Sequence, residues 1–80
     1  MQRAVRPDEL SDQEVESVAQ AVDMFRAAPT SPDFFHATPM KDETGRLSEV
    51  RFYKDDDTSQ QPLAVLGIAN DGALLPLQWW

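Results

Sequence analysis

The chain contains no cysteine, which excludes disulfides, thiolate metal sites and a cysteine nucleophile. Glycine is scarce: the three glycines stand at positions 45, 67 and 72, too far apart for a phosphate-cradling loop. No Gly-x-Ser-x-Gly run is present, so there is no nucleophile elbow. No apolar stretch reaches the roughly 18 residues that span a bilayer. Met1 to Pro7 carries positive charge without an apolar segment behind it, so no secretory signal is expected and a cytoplasmic location is the default expectation. Positive charge is also in short supply. Fourteen Asp and Glu outnumber seven Lys and Arg, for a net charge of −7. Phosphate backbones and anionic lipid surfaces are bound through clustered cations, so neither nucleic acid nor a membrane is an expected partner.

What is present suits one small folded domain. Eighty residues, 41% apolar and 26% charged, fall in the globular rather than the disordered range. A domain of this size hides only about 60–65% of the surface its unfolded chain exposes. Its stability is then about 4–12 kcal/mol, which leaves little room for a strained active site.

Residues 1–10 read as an N-terminal arm and residues 11–80 as a single α+β domain. Ser11-Asp12-Gln13-Glu14 is a capping box, with Leu10 and Val15 placed as a hydrophobic staple. Val15, Val18, Ala19, Val22 and Phe25 recur at helical spacing, and Pro29 forbids continuation. A helix over about residues 12–27 is predicted. Strands are predicted over residues 34–40, 47–54, 63–69 and 73–80. Asp42-Glu43-Thr44-Gly45 and Asn70-Asp71-Gly72 are hairpin turns. Pro39 requires a sheet edge or a bulge near its position. The expected fold is one N-terminal amphipathic helix packed on a four-stranded antiparallel meander. That order is similar to cystatin-like and PepSY-like folds in topology only, which carries no function.

The third predicted strand, Leu63 to Ala69, is apolar on both faces, whereas one helix covers only one face of a sheet. Three things could cover the other: the arm, a second copy of the chain, or another protein. Gly67 marks a bulge or the close approach of a side chain such as a tryptophan. Alternation sends Leu75, Leu77 and Trp79 to one face and Gln78 and Trp80 to the other. Trp80, as the last residue, is expected to stay partly exposed, as a binding hot spot does.

Catalytic signals are weak. His36 is the lone histidine and has no orienting partner nearby in sequence. Asp55-Asp56-Asp57 lacks the Gly and Glu that a calcium loop needs at positions six and twelve, where Gln60 and Leu66 stand. No catalytic residue, metal or cofactor is expected. The expectation is a non-catalytic protein-interaction domain (an accessory subunit, inhibitor or immunity-type protein). It would bind a protein partner or itself through Trp80, Gln78, Leu66, Ile68 and Tyr53, with acidic groups steering a basic partner. Two alternatives remain. One is a small dimeric enzyme or ligand binder using His36 and Tyr53 in a pocket between helix and sheet or across a dimer. The other is an acidic nucleic-acid mimic that inhibits a basic protein.

Overall fold

A computed structural model describes residues 2–57 and 59–80. Met1 of the expected arm and Thr58 of the polar loop lie outside the described residues. The chain runs β1 (Arg3–Ala4), a short 3-10 turn (Pro7–Glu9), α1 (Asp12–Ala27), β2 (His36–Lys41), β3 (Leu47–Tyr53), β4 (Ala64–Ile68) and β5 (Leu74–Trp79). All strand neighbours are antiparallel, in the order β1-β2-β3-β4-β5. The α+β class stands, but the sheet has five strands where four were expected. The fifth comes from the arm: Arg3 pairs with Lys41 and Ala4 with Met40. The arm therefore extends the plane of the sheet beside β2 and does not lie over β4.

Helix α1 begins where the capping box places it. The Glu14 amide donates to Ser11 Oγ at 3.2 Å, and the Ser11 amide donates to Glu14 Oε1 at 2.9 Å. At the other end the Ala28 amide donates to Phe25 O, and the Ser31 hydroxyl donates to Ala28 O at 2.9 Å. These bonds satisfy carbonyls that the helix leaves open. Pro29 then turns the chain away. The buried stripe differs in phase from the expected one. Ala21 and Phe25 are fully buried, with Val18 and Val22 against the core, whereas Val15 is 46% exposed and Ala19 is also exposed. The helix is thus rotated toward Ala21, whose small side chain lets the backbone approach the sheet. Glu14, and not Val15, is the half-buried residue of the first turn on this side. Glu14 is paired with Lys41 of β2, Nζ to Oε1 at 3.3 Å, and the same ammonium donates to Glu9 O at 3.0 Å. One lysine thereby joins the arm, the helix and the sheet.

Pro39 sits inside β2, between two neighbouring strands, and the geometry shows how that is tolerated. In an antiparallel strand the N and O of one residue point to the same side. Pro39 O accepts from the Val5 amide at 3.0 Å, so its missing N–H faces the β1 side, where pairing stops at Ala4. The register shifts immediately afterwards, between Met40 and Lys41. Both hairpin turns take the expected glycines at positive φ, Gly45 at 83° and Gly72 at 88°. Arg46 ties these two turns together: its Nη1 donates to the carbonyls of Leu47, Ile68 and Ala69 at 3.1–3.2 Å.

The core lies between α1 and one sheet face, where Val50, Phe52, Ala64 and Leu66 are fully buried. Phe25 is its centre. Its ring stacks on Phe52 at 4.3 Å, on Trp79 at 5.2 Å, and lies tilted 4.6 Å from Phe35. Such contacts add about 0.5–1.5 kcal/mol per pair beyond area burial.

The Ser11 amide, first, and the Lys41 ammonium hold the Glu14 carboxyl below its ordinary pKa. A depressed carboxylate stabilises the fold fully above its unfolded value, about 4.3, and loses that contribution as pH falls through the folded value. Urea unfolding from pH 7 down to 3 should therefore show a steeper loss of stability in the wild type than in Glu14→Gln. Ser11→Ala should cost about 1 kcal/mol at neutral pH.

Candidate functional site at the end of the sheet

The two faces of the sheet are now assignable. Cross-strand pairing puts His36 beside Tyr53, Thr38 beside Arg51, and Val65 between Arg51 and Gln78, all on the face away from α1. Leu66 and Ile68, expected on the uncovered face, are buried in the helix-covered core. Alternation from Val50 and Phe52 through β4 puts Ala64, Leu66 and Ile68 inward. Ala64 and Leu66 are fully enclosed there, and Ile68 reaches the surface only at a small cleft beside the β4–β5 turn. What β4 turns outward is only Val65 and Gly67. The side chain closing on Gly67 is Leu75, not a tryptophan: a Cβ at residue 67 would lie 3.1 Å from Leu75 Cδ1.

Leu75 is there because β5 bulges. Leu66 faces Leu77, but Ile68 faces Leu74, so Leu75 and Pro76 together oppose Gly67. The extra residue breaks the expected alternation. Leu74 and Leu77 both pack against the core, while Leu75 turns to the outer face.

A polar ridge fills the middle of that outer face. Glu49, Arg51 and Tyr53 alternate along β3, with Arg51 Nε donating to Glu49 Oε2. The Glu49 carboxylate first, and the Tyr53 hydroxyl after it, raise the Arg51 pKa above its ordinary value. Tyr53 is only 4% exposed although no helix covers it, so its ring offers little to a docking protein. His36 is exposed. The pair lies on the face opposite α1, which rules out the pocket between helix and sheet that the sequence suggested for it. Thr38, also on this face, is buried, and its hydroxyl has no hydrogen-bond partner among the described residues.

The exposed aromatic surface is elsewhere, at the end of the sheet nearest the helix C-terminus. Phe34 is 87% exposed, Trp80 63% and Trp79 41%. Trp79 and Trp80, expected on opposite faces, line one cleft of about 720 Å³ together with Leu63, Pro32, Thr30 and Lys54. The ladder ends at Trp79, and Trp80 continues beside Leu63, its amide donating to Leu63 O at 3.0 Å. Trp79 has one side of its indole against Phe25 and contributes to the cleft as well. Pro32 and Thr30 belong to the segment between α1 and β2, held by the Ser31 bonds described above. Gln78 is exposed on the outer face beside Val65 and does not line the cleft.

Sequence reasoning missed Thr30, Pro32, Lys54 and Leu63 because only tertiary folding brings the α1–β2 segment to the β5 terminus. One signal was available. Adjacent Phe34 and Phe35 in a non-helical segment cannot both face the core, and here Phe35 packs inside while Phe34 points out.

A second, smaller cleft of about 250 Å³ lies between the first turns of α1 and the β4–β5 turn. Its one guanidinium, Arg46, is already engaged by three carbonyls and by Asp42. The Asp55–Asp57 run serves its own loop: Asp55 accepts from the Asp57 amide, and Asp57 from the Ser59 amide and hydroxyl. Among the described residues no three His, Asp or Glu side chains converge as a metal site would require, and no helix is long and apolar enough to cross a membrane. The chain matches no protein-family model, no curated protein and no solved structure.

An orphaned buried hydroxyl destabilises a fold, and replacing it with a methyl of similar shape removes that penalty. Thr38→Val should raise the unfolding free energy by about 1 kcal/mol, read as a higher urea midpoint at unchanged slope. A loss of stability would show that the Thr38 hydroxyl is satisfied after all.

Proposed function

We propose that this chain is a non-catalytic protein-interaction domain that grips an apolar side chain of a protein partner in the cleft at the end of its sheet. The observation that carries the reading is the pair Trp79 and Trp80, which wall one apolar cleft while remaining 41% and 63% exposed. A domain this small has few aromatic residues to spare from its core. Tryptophan is enriched in binding hot spots because a rigid, broad ring desolvates a large area at low entropic cost.

The cleft is also braced. Trp79 is stacked on Phe25, and Trp80 is tied by its backbone to Leu63, so little ordering remains to be done on binding. The wider acidic surface serves solubility and the steering of encounters. A cleft lined by so few side chains suits a weak or transient contact more than a permanent one.

Selection of a phage-displayed random peptide library on the protein, at sub-micromolar concentration, tests this. Enriched peptides should share one large apolar residue, shift the tryptophan emission to the blue, and lose about 30-fold in affinity on Trp80→Ala, as a 2 kcal/mol hot spot requires. No enrichment, or binding unaffected by Trp80→Ala, would overturn the assignment of the cleft.

A further inference from the structure

The same end of the molecule carries both an apolar hole and an apolar knob. The hole is the Trp79, Trp80 and Leu63 cleft, whose lining includes a single charged side chain, Lys54. The knob is Phe34, 87% exposed, which immediately follows Asp33. Pro32 lines the hole and Phe34 lies two residues further on, so knob and hole are within about 7 Å of one another along the chain. A patch that contains both halves of a contact is self-complementary, and a two-fold axis passing between them satisfies both halves at once. The charges match as well, since the knob brings a carboxylate and the hole an ammonium.

Resting on the reading of the cleft as a protein-binding site, we propose that its occupant is a second copy of this chain. The Phe34 ring of each copy enters the cleft of the other, and each Asp33 carboxylate meets the partner's Lys54 ammonium. The pairing has to be weak. Each copy carries a net charge of −7, so long-range repulsion opposes it, and one ring per copy seated in one cleft is a small contact beside the ~1,000 Å² that a stable interface needs. Association therefore belongs to the range from tens of micromolar to millimolar.

Sedimentation equilibrium of the intact chain between 10 µM and 1 mM, roughly the range that such a small interface implies, tests the proposal. The mean mass should rise from 9.0 kDa toward twice that value. Phe34→Ala should weaken the association at least about 10-fold without altering the circular dichroism, because the ring makes little contact with its own fold. Asp33→Lys and Lys54→Glu should each weaken it, and the two together should restore it, a coupling that a merely structural role would not produce. A chain that stays at 9.0 kDa throughout overturns the proposal, as does a dimer indifferent to Phe34→Ala or a charge swap that fails to restore pairing. In each of those cases peptide binding that still depends on Trp80 leaves the cleft's role intact. Loss of both would remove the two readings together.

Discussion

The stacking of Phe25 on its neighbours is the contact from which the rest of this structure follows. It is a single ring in the last turns of α1, yet it touches Phe35 ahead of β2, Phe52 of β3 and Trp79 of β5. Three segments that are distant in sequence are thereby set against one end of the helix. In a domain with a thin hydrophobic core, few other groups can do this. Phe52, the ring stacked most closely, is also fully buried. The same contact shapes the surface, because a tryptophan braced on one side by Phe25 keeps its other parts in a defined place. Core and cleft share an indole, so repacking around residue 25 would be felt at the binding surface as well as in stability.

Local signals in the sequence were accurate where the chemistry was local. The capping box gave the helix its first residue, Pro29 its end, and the two Asp/Asn-to-Gly turns their hairpins. Three features escaped. Two arm residues are too few to show a strand pattern, and their pairing with Lys41 and Met40 exists only once β2 is in place. The helix phase depended on Ala21, which hydrophobicity ranks below Val15 but whose size suits close packing. Gly67 marked the place of a bulge, but that β5 carries the extra residue and so inverts the direction of Leu75 is revealed only by the facing strand. Part of the candidate site was hidden in the same way, although Trp80 was legible and lines the cleft. Leu66 and Ile68 were assigned from a strand with no polar residue to mark its outer face, whereas the cleft draws on residues from 30 to 80 that meet only in three dimensions.

The surplus of carboxylates has a largely local explanation. Asp42, Asp55, Asp57 and Asp71 each accept the backbone amide two residues further along, the habit that makes Asp a turn residue. Glu9 and Glu14 accept amides three residues back, at the 3-10 turn and at α1. The neighbouring hydroxyl of Thr44 and then the Arg46 and Thr44 amides hold Asp42 below its ordinary pKa. Ser59 does the same for Asp57. These carboxylates shape turns and helix starts, so much of the negative charge is placed by local backbone geometry.

The bulge in β5 reaches beyond the placement of Leu75. β5 is an outer strand, with β4 as its only neighbour among the described residues, and an open strand is a template on which another chain can add. Here the template is uneven: the doubled residue opposite Gly67 breaks the regular spacing that an incoming strand would have to match. At the opposite margin β1 is two residues long, too short to guide pairing. Both margins thus discourage the addition of a further strand, and a contact made through side chains draws its specificity from shape and not from the backbone that every protein shares.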